Sequence, residues 1–354
     1  MDKKIVVISN MYPSLQDPVY GSFVKEQTEE LEKKGLKINR IVSYDRAEGN
    51  KKRALIKYLS LWSRTVLSAF NFTNKIYHFH YVFPTALVAP ILKSIFRKKI
   101  VFTFHGSDLL KGGKRKEQLL RKILPFADEI ILVSDYMKKE FINRFPEHKD
   151  KAHSIHCGVN TDLFKPRDRY EAQTKLQLPT DKFNVLYLGR LIKDKGIDVF
   201  EDIVEKLKDN KDIRFIIVGG GQEQERIQQK YEEYENVFLH PSIPKNEVPL
   251  WFNASDVFVF PTKREAFGLV ALESIASGTP VLSHNVGGVS EIIEDNQNGF
   301  LLDLNDSNEF ATKILELQNS PSIKNSFSIK GFEKSKGHTL ENQINKILNV
   351  YKKL

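Results

Sequence analysis

The sequence has 354 residues, of which 41% are hydrophobic and 28% are charged, and its formal net charge is +9 at pH 7. This length predicts two domains, each large enough for its own hydrophobic core. The single cysteine, Cys157, excludes an intrachain disulfide and favours a reducing compartment, and we expect neither a signal peptide nor a bilayer-spanning segment.

The positive charge is concentrated in one part of the chain. Residues 46–122 hold 17 Lys and Arg against 3 Asp and Glu, whereas residues 166–354 carry a net charge of −4. Such a segment suits a solvated lysine-rich surface, an anionic membrane, an anionic acceptor or a nucleic acid. Because no zinc finger or helix-turn-helix pattern accompanies it, we expect no nucleic-acid binding.

The first half predicts about six β/α units, beginning with a buried strand over residues 4–9. A long loop then leads to a helix over residues 23–34, which places Gly21 at a helix N-terminus. Open α/β sheets bind ligands at such places, at the carboxyl ends of their strands. The strand at residues 100–104 runs directly into His105, which is therefore well placed to touch a ligand.

Residues 51–70 predict an amphipathic helix flanked by basic residues. Two interpretations remain open for its apolar face. The helix could pack on the sheet through this face, or it could lie partly in a lipid headgroup layer. The face consists of Leu55, Tyr58, Leu59, Trp62, Val66 and Leu67 or Phe70.

A linker containing Gly158 and Pro166 precedes a second α/β series that starts at residue 183. Its first strand ends in Gly189-Arg190, and Lys195 opens the next helix. Arg190 and Lys195 could therefore reach one diphosphate. Another strand ends in the triple glycine at residues 219–221, which would let a ligand approach the backbone.

The stretch from residue 257 to 280 contains the strongest candidates for ligand-binding residues. An apolar strand over 257–260 leads to a helix predicted to start near Phe267, with Glu265 just before it and Glu273 two turns further on. The free amides at a helix start bind anions, and Gly268 permits close approach of a ligand. The alternative is that the two glutamates are simply solvated.

Several common site patterns are missing from the sequence. It has no P-loop, no G-x-G-x-x-G after the first strand, no Asp-x-Asp and no H-E-x-x-H. We therefore expect no bound metal and no cofactor. Positive charge from Arg190 and Lys195, together with helix-end amides, would have to replace the metal at a diphosphate.

Together these motifs resemble those of a retaining glycosyltransferase of family 4, and the resemblance runs essentially from end to end. It implies an α/β protein of the GT-B fold, with two Rossmann-like parallel-sheet domains facing a cleft. The expected parts are an acceptor-binding domain at 1–165, a nucleotide-sugar-binding domain at 166–335, and a helix at 336–354 that packs back on the first domain. The resemblance rests on EAFGLVALE at 265–273, Gly189-Arg190, Lys195-Gly196, residues 218–221, residues 277–281, Gly287-Gly288 with Glu291, Gly21-Ser22-Phe23, and His105-Gly106-Ser107-Asp108.

The resemblance also implies roles for single residues. Arg190 and Lys195 would neutralise the diphosphate, Glu265 would face the sugar ring, and His105 would touch the O6 region of the sugar or the reacting groups. Acceptor contacts would come from Ser107 and Asp108, and Asp108 is also the nearest candidate for a carboxylate beside C1. The implied donor-binding residues are Gly21, Gly189, Gly220, Ile243, Ala266, Phe267, Gly268, Leu269 and Glu273, the last of which would accept hydrogen bonds from the ribose hydroxyls.

The expected reaction is therefore transfer of a sugar from a nucleoside diphosphate sugar, UDP-linked, without a metal. The acceptor would be a lipid-linked or polyanionic saccharide in cell-surface polysaccharide synthesis. An epimerase that acts on a nucleotide sugar with the same fold is the alternative. We expect a cytoplasmic protein, peripheral on the inner face of the cell membrane, with an anionic membrane surface as a partner.

Overall fold

A computed structural model describes residues 4–47, 49–304 and 306–354 of the chain. They form two compact units: one runs to Cys157 and takes up Leu340–Leu354, and the other is Gly158–Thr339. The first division thus lies after residue 157, whereas the sequence suggested 165. The reason is that the segment after Cys157 packs within the second unit, where Phe164 is fully buried and the Lys165 carbonyl accepts a hydrogen bond from Asn253.

The first unit contains a sheet of six parallel strands in the order β2-β1-β3-β4-β5-β6. Its strands are apolar runs, such as KIVVIS in β1, which favour a parallel sheet covered on both faces. The carboxyl ends of neighbouring strands therefore meet at one edge, where His80 of β3 is paired with Thr103 of β4. The strands are β1 Lys4–Ser9, β2 Ile38–Val42, β3 Asn74–His80, β4 Lys99–Phe104, β5 Glu129–Leu132 and β6 Ala152–Ser154.

Helices cover this sheet, and several begin at its carboxyl edge. They are α1 Ser22–Lys33, α2 Lys51–Ser68, α3 Val82–Thr85, α4 Ala89–Ser94, α5 Ser107–Leu110, α6 Lys114–Ile123 and α7 Asp135–Arg144. Short 3₁₀ turns occupy Ala86–Val88, Leu124–Phe126 and Pro146–Lys151.

The second unit repeats this plan with six parallel strands in the order β12-β11-β10-β7-β8-β9. The predicted α/β architecture with two parallel sheets is confirmed. The strands are β7 Phe183–Leu188, β8 Ile213–Val218, β9 Val237–His240, β10 Val257–Phe260, β11 Val281–His284 and β12 Gly299–Leu302. The helices are α8 Arg169–Lys175, α9 Ile197–Leu207, α10 Gln224–Tyr231, α11 Val248–Ala254, α12 Leu269–Ala276, α13 Ser307–Asn319 and α14 Pro321–Ser335, with 3₁₀ turns at Lys193–Lys195, Gly287–Glu291 and Lys336–His338.

The last helix, α15 Leu340–Lys352, belongs to the first unit. Its apolar face, which includes Ile344, Ile347 and Tyr351, joins the same hydrophobic core as β1 and α1. The Tyr351 hydroxyl also lies 2.6 Å from Nδ1 of His78 in β3. This helix therefore completes the core of the unit to which the start of the chain belongs.

Helix α2 forms as predicted, but its predicted apolar face is only partly covered. The buried positions are Lys57, Leu61 and Thr65, while the side chains of Leu55 and Leu59 are 56% and 52% exposed. Tyr58 and Trp62 of the same face are half-buried, and Nε1 of Trp62 donates to the Pro84 carbonyl at 3.2 Å, so one part of the predicted apolar face packs on the unit and the other part is exposed. Among the described residues, no helix is long and apolar enough to cross a membrane.

Candidate functional site

The turn between β10 and α12 is the centre of the second unit's carboxyl edge. Strand β10 ends at Phe260, as predicted, but α12 begins at Leu269 and not near Phe267. Gly268 is the reason, because its backbone (φ 101°, ψ 45°) lies in the left-handed region and cannot continue a helix toward the N-terminus. The two residues that precede Gly268 therefore remain a loop.

The start of α12 presents free backbone donors. The amides of Gly268 and Leu269 donate no hydrogen bond to any acceptor in the described part of the chain. The first amides of a helix lack intrahelical acceptors, and the helix dipole adds positive potential there. This helix start therefore suits a phosphate group.

Glu265 is held by two donors in this loop. Its Oε2 accepts a hydrogen bond from Nζ of Lys195 at 2.7 Å, and its Oε1 accepts one from the backbone amide of Ala266 at 3.0 Å. The Ala266 amide is therefore engaged by a carboxylate, which does not favour the donor contact expected of it. The carboxylate is mostly shielded and the ammonium is about one third exposed, so the Lys195 side chain remains within reach of a ligand.

A tight turn brings Lys195 to this position. Gly196 adopts φ 73° at the start of α9, and a Cβ atom there would lie 1.8 Å from the carbonyl oxygen of Pro261. The buried Tyr187 fixes the same turn, since its hydroxyl donates to the Arg190 carbonyl at 2.8 Å. The Arg190 side chain is exposed on this turn. Tyr187 was not found from the sequence, because a tyrosine within an apolar strand indicates only core packing.

The glycines after β7 and β8 serve close packing between neighbouring loops. A Cβ atom on Gly219 would lie 1.9 Å from the Gly189 carbonyl oxygen, and one on Gly221 would lie 2.5 Å from the Leu191 carbonyl oxygen. The triple glycine was expected to let a ligand approach the backbone. Gly219 and Gly221 instead allow the loop after β7 to pack closely against them. Gly220 differs, since its Cβ atom would meet side chains, at 2.8 Å from Oγ of Ser242.

Glu273 lies in α12 and forms an ion pair that the sequence did not predict. Nζ of Lys245 lies 2.9 Å from its Oε1, and the two side chains are only 15% and 6% exposed. Lys245 follows the buried Ile243 by two residues, so the segment expected to contact the base lies beside the residue expected to bind the ribose. A lysine in a loop gives no sequence signal for such a pair.

The turn at Gly287 and Gly288 supports the loop that carries Glu265. A Cβ atom on Gly288 would lie 2.5 Å from the carbonyl oxygen of Ala266 and 2.9 Å from Cα of Phe267. The Gly288 amide donates to the Glu265 carbonyl at 3.3 Å. The turn at Gly287 and Gly288 therefore helps to position Glu265.

In the first unit, His105 follows β4 and joins a cluster of histidines. Its Nε2 lies 2.9 Å from Nδ1 of His80, and the rings of Phe23 and Tyr81 pack on it at 4.9 and 4.8 Å. Nδ1 of His105 has no hydrogen-bond partner among the described residues. His78 lies behind His80 with a ring separation of 4.3 Å. Parallel strand ends are adjacent, so the pattern His78-x-His80 could have indicated this contact.

All three histidines are uncharged at neutral pH. Burial lowers the pKa of the His80 imidazole to about 3. Burial, and then the neighbouring histidines, hold the pKa values of His78 and His105 well below 6.5. His105 can therefore donate or accept a hydrogen bond, but it brings no positive charge to a diphosphate.

Asp108 has a structural position in the loop after β4. Its carboxylate is 2% exposed and accepts hydrogen bonds from the backbone amides of Val82, His105 and Gly106 at 2.9–3.0 Å. Burial raises its pKa to about 6. This placement does not favour the expected acceptor contact or a carboxylate beside C1. Ser107 is exposed, and its carbonyl accepts a hydrogen bond from Lys116.

Gly21 also has a packing role at the start of α1. Its φ is 73°, and a Cβ atom there would lie 2.6 Å from the carbonyl oxygen of Met11. Gly21 therefore fixes the loop between β1 and α1 against the helix start. The structure places it at the carboxyl edge of the first sheet, as expected from the sequence.

Two family models match the chain, one for each half. The model described as Glycosyltransferase Family 4 matches residues 21–163, and the model described as Glycosyl transferases group 1 matches residues 168–334. Each model matches less than half of the chain, and together they span most of it.

Individual known proteins agree with these matches. An uncharacterized glycosyltransferase of Methanocaldococcus jannaschii is 28% identical over 78% of this chain and 75% of its own length. A D-inositol 3-phosphate glycosyltransferase of Nocardioides sp. is 26% identical over 70% of this chain and 59% of its own length. The chain spans between 47% and 75% of the length of the first curated relatives it matches.

Among solved structures, Anabaena HepE in complex with UDP-glucose matches 99% of this chain and 100% of its own, with a TM-score of 0.78 and 18% identity. A likeness at this identity establishes the fold, which is GT-B, as the sequence resemblance implied.

Proposed function

We propose that the chain is a glycosyltransferase that transfers a sugar from a nucleoside diphosphate sugar with retention of configuration, and its two family matches support this proposal. The observation that carries this proposal is the arrangement around α12. Free amides at Gly268 and Leu269 face the same loop as the Lys195–Glu265 pair, and Glu273 lies further along the helix.

In this proposal each of these groups contacts one part of the donor. The amides and Lys195 bind the diphosphate. Arg190 adds a positive charge, and its attraction to the diphosphate increases as negative charge develops on the leaving group. Glu265 contacts sugar hydroxyls, and Glu273 accepts hydrogen bonds from the ribose. Gly189 and Gly220 shape the loops around it, Phe267 closes the helix start, and the backbone near Ile243 contacts the base. The charged groups would take the place of a metal ion.

We propose UDP as the nucleotide, because the HepE structure, which shares this fold, was solved with UDP-glucose. For retention we favour a front-face displacement, in which the leaving phosphate accepts the proton of the acceptor hydroxyl. The engagement of Asp108 with three amides supports this choice over a double displacement that would use it as nucleophile. His105, as a neutral imidazole, would hydrogen-bond the transferred sugar.

The acceptor proposal rests on the charge of the first unit. Residues 46–122 carry an excess of 14 positive charges, which suits a lipid-linked or polyanionic saccharide acceptor. Synthesis of a cell-surface polysaccharide at the cytoplasmic face of the membrane is the process that fits such an acceptor. Flotation with anionic vesicles at low salt tests the membrane part, and a chain that stays with the unbound fraction would contradict it.

The donor test uses purified full-length protein and a panel of nucleotide sugars. We expect a UDP-sugar to raise the melting temperature, and we expect slow release of UDP from it. Glu273→Ala and Arg190→Ala should each lower donor turnover at least roughly tenfold, since one charged hydrogen bond contributes about 1.5–3 kcal/mol. Arg214→Ala, at the opposite edge of the sheet, is the matched control. Wild-type turnover in both site variants would refute the assignment.

The products separate the proposed reaction from alternatives. Proton NMR of the glycoside formed would show the same anomeric configuration as the donor if the enzyme retains it. An inverted product would contradict the retaining mechanism. Conversion of the donor to its epimer without an acceptor would instead indicate an epimerase.

A further inference from the structure

A cavity of about 380 Å³ lies in the first unit, between the segment after β2 and the helix α2. It is separate from the histidines and from the loop of Asp108, and nothing described above uses it. Its wall combines positive charge, hydroxyl groups and apolar side chains. The residues that matter here are Ser43 and Tyr44 from the segment after β2, and Arg53, Ile56, Lys57 and Arg64 from α2.

Lys57 is a buried cation with neutral partners. The residue is 9% exposed, and its Nζ donates hydrogen bonds to the Tyr20 hydroxyl at 3.1 Å and to the Asp45 carbonyl oxygen at 2.6 Å. Burial lowers the pKa of this ammonium to about 8. Removing a charge from water is costly unless an opposite charge compensates it, so an anion beside Lys57 would be stabilising.

The carboxylate of Asp45 supplies only part of this compensation, because it is shared with Arg53. It accepts hydrogen bonds from Nη2 of Arg53 at 2.9 Å and from the amide of Ala47 at 2.8 Å. Arg64 donates to the carbonyl oxygen of Val42 at 3.2 Å, again a neutral oxygen. Within the described wall of the cavity, three cations thus face one carboxylate, and this excess favours an anionic ligand.

The outer surface of α2 beside this cavity exposes three large apolar side chains among its basic residues. Leu55, Ile56 and Leu59 are 56%, 64% and 52% exposed, and Ile56 also lines the cavity. Exposed apolar side chains next to cations are typical of surfaces that meet a lipid, where hydrocarbon contacts the former and phosphate the latter. A small hydrophilic anion would leave these side chains in water.

We propose that this cavity binds the phosphate or diphosphate headgroup of an amphiphilic lipid, while Leu55, Ile56 and Leu59 contact its hydrocarbon chain. Lys57 and Arg64 contact the headgroup oxygens, and Ser43 adds a hydroxyl. The identification of this lipid as the carrier of the saccharide acceptor rests on the proposed function. The binding itself can be measured without transfer.

Three probes separate a lipid site from a site for free phosphate. Calorimetric titrations would use farnesyl diphosphate, inorganic pyrophosphate and farnesol, each below its aggregation limit. We expect farnesyl diphosphate to bind at least roughly tenfold more tightly than pyrophosphate, because its hydrocarbon chain would bury apolar surface against Leu55, Ile56 and Leu59. Equal affinities for these two probes would overturn the lipid assignment, and no binding of farnesyl diphosphate would overturn the site.

Variants assign the binding to the cavity. Lys57→Met and Arg64→Gln should each weaken farnesyl diphosphate binding about tenfold or more. Lys122→Met, an exposed lysine in α6, removes the same charge elsewhere in the unit and should bind as the wild type does. Leu55→Gln with Leu59→Gln should weaken farnesyl diphosphate binding without changing that of pyrophosphate.

The stability of Lys57→Met distinguishes a ligand-binding lysine from a structural one. Methionine keeps the length of the side chain and removes a buried charge, so we expect a melting temperature at least equal to that of the wild type. If this variant does not fold, Arg64→Gln tests the site instead. Arg64 is exposed, so its replacement should not prevent folding. Unchanged farnesyl diphosphate affinity in Arg64→Gln would overturn the proposal.

The same protein samples also separate this proposal from the proposed function. The thermal shift with a UDP-sugar should be the same in Arg64→Gln and in the wild type, because Arg64 lies outside the donor-binding unit. Loss of lipid binding with an unchanged UDP-sugar shift supports the cavity. Farnesyl diphosphate binding without any nucleotide-sugar shift would refute the donor assignment while it leaves the lipid site supported.

Discussion

Nζ of Lys195 lies 2.7 Å from Oε2 of Glu265, and this contact joins the turn after β7 to the turn after β10. The two charges compensate each other locally. A diphosphate bound at the start of α12 would therefore compete with Glu265 for Lys195. The strength of donor binding should depend on how firmly the carboxylate holds the lysine.

Glu265→Gln tests this competition. Glutamine keeps the size of the side chain and an oxygen that can accept from the Ala266 amide, but it removes the charge that compensates Lys195. We expect UDP to bind about two- to fivefold more tightly, which corresponds to the 0.5–1 kcal/mol typical of a partly exposed pair, while sugar transfer becomes slower. Calorimetry with UDP measures the first effect, and steady-state kinetics measure the second.

Lys195→Met is the matched comparison, because it removes the other member of the pair. Its affinity for UDP should fall. A Glu265→Gln variant that binds UDP with unchanged or reduced affinity would contradict the competition between the carboxylate and the diphosphate.

Lys245→Met should destabilise the second unit through Glu273. The variant removes the cation that lies 2.9 Å from a carboxylate with 6% exposure. Loss of one member of a buried ion pair typically costs about 3–5 kcal/mol, since the remaining charge stays buried. Urea denaturation of the full chain would show a lower free energy of unfolding. Glu273→Gln, added to Lys245→Met, should recover part of the loss, and no recovery would show that the effect does not arise from the pair.

Stability should fall as the solution becomes acidic because of the histidine cluster. In the unfolded chain His78, His80 and His105 bind protons below pH 6.5, whereas in the folded protein their pKa values are lowered, that of His80 to about 3. The unfolded state therefore binds more protons between these values, and its free energy falls by about 1.4 kcal/mol per pH unit for each group. Their stability contribution is complete above pH 6.5 and is lost on acidification toward pH 3.

Asp108 has the opposite effect over part of this range. Its folded pKa is raised to about 6 from 3.8, so between these values the folded protein binds the extra proton. One carboxyl group offsets the slope of one histidine, and the net effect remains destabilisation by acid. Urea denaturation at pH 5 and pH 7 measures the slope. His80→Gln should reduce it, and equal slopes in both proteins would contradict the assignment.

Asp108→Asn should loosen the loop that carries His105. The carboxylate accepts from three backbone amides, and an amide side chain offers one acceptor oxygen in place of two. We expect a loss of about 1–3 kcal/mol in stability and a lower rate of transfer. Ser107→Ala, at the exposed neighbouring position, should leave the melting temperature unchanged. A fully stable Asp108→Asn variant would show that the amides find other acceptors.

The strand-to-helix stretch around α12 could be predicted because its local signals agree. An apolar run, a glycine and a helical spacing of apolar residues each indicate the same structure. The error of two residues in the helix start arose at Gly268, whose left-handed conformation cannot be deduced from the residue type alone.

Contacts between distant segments could not be predicted in the same way. Nothing near Lys245 in the sequence points to Glu273, and the pair exists because the loop after β9 meets α12 in the folded unit. The orientation of α2 was also unpredictable. Lys57 can be buried because the Tyr20 hydroxyl and the Asp45 carbonyl oxygen accept hydrogen bonds from its Nζ, although a lysine usually favours the exposed face.

The position of α15 has a consequence for biosynthesis. Ile344, Ile347 and Tyr351 belong to the core that β1 and α1 begin, so the second unit is an insertion within the first. A ribosome must synthesise all of Gly158–Thr339 before the residues that complete the earlier core emerge. The second unit can fold during translation, whereas the nascent first unit must wait with part of its apolar surface uncovered. Premature termination before α15 would therefore damage the half of the protein that was made first.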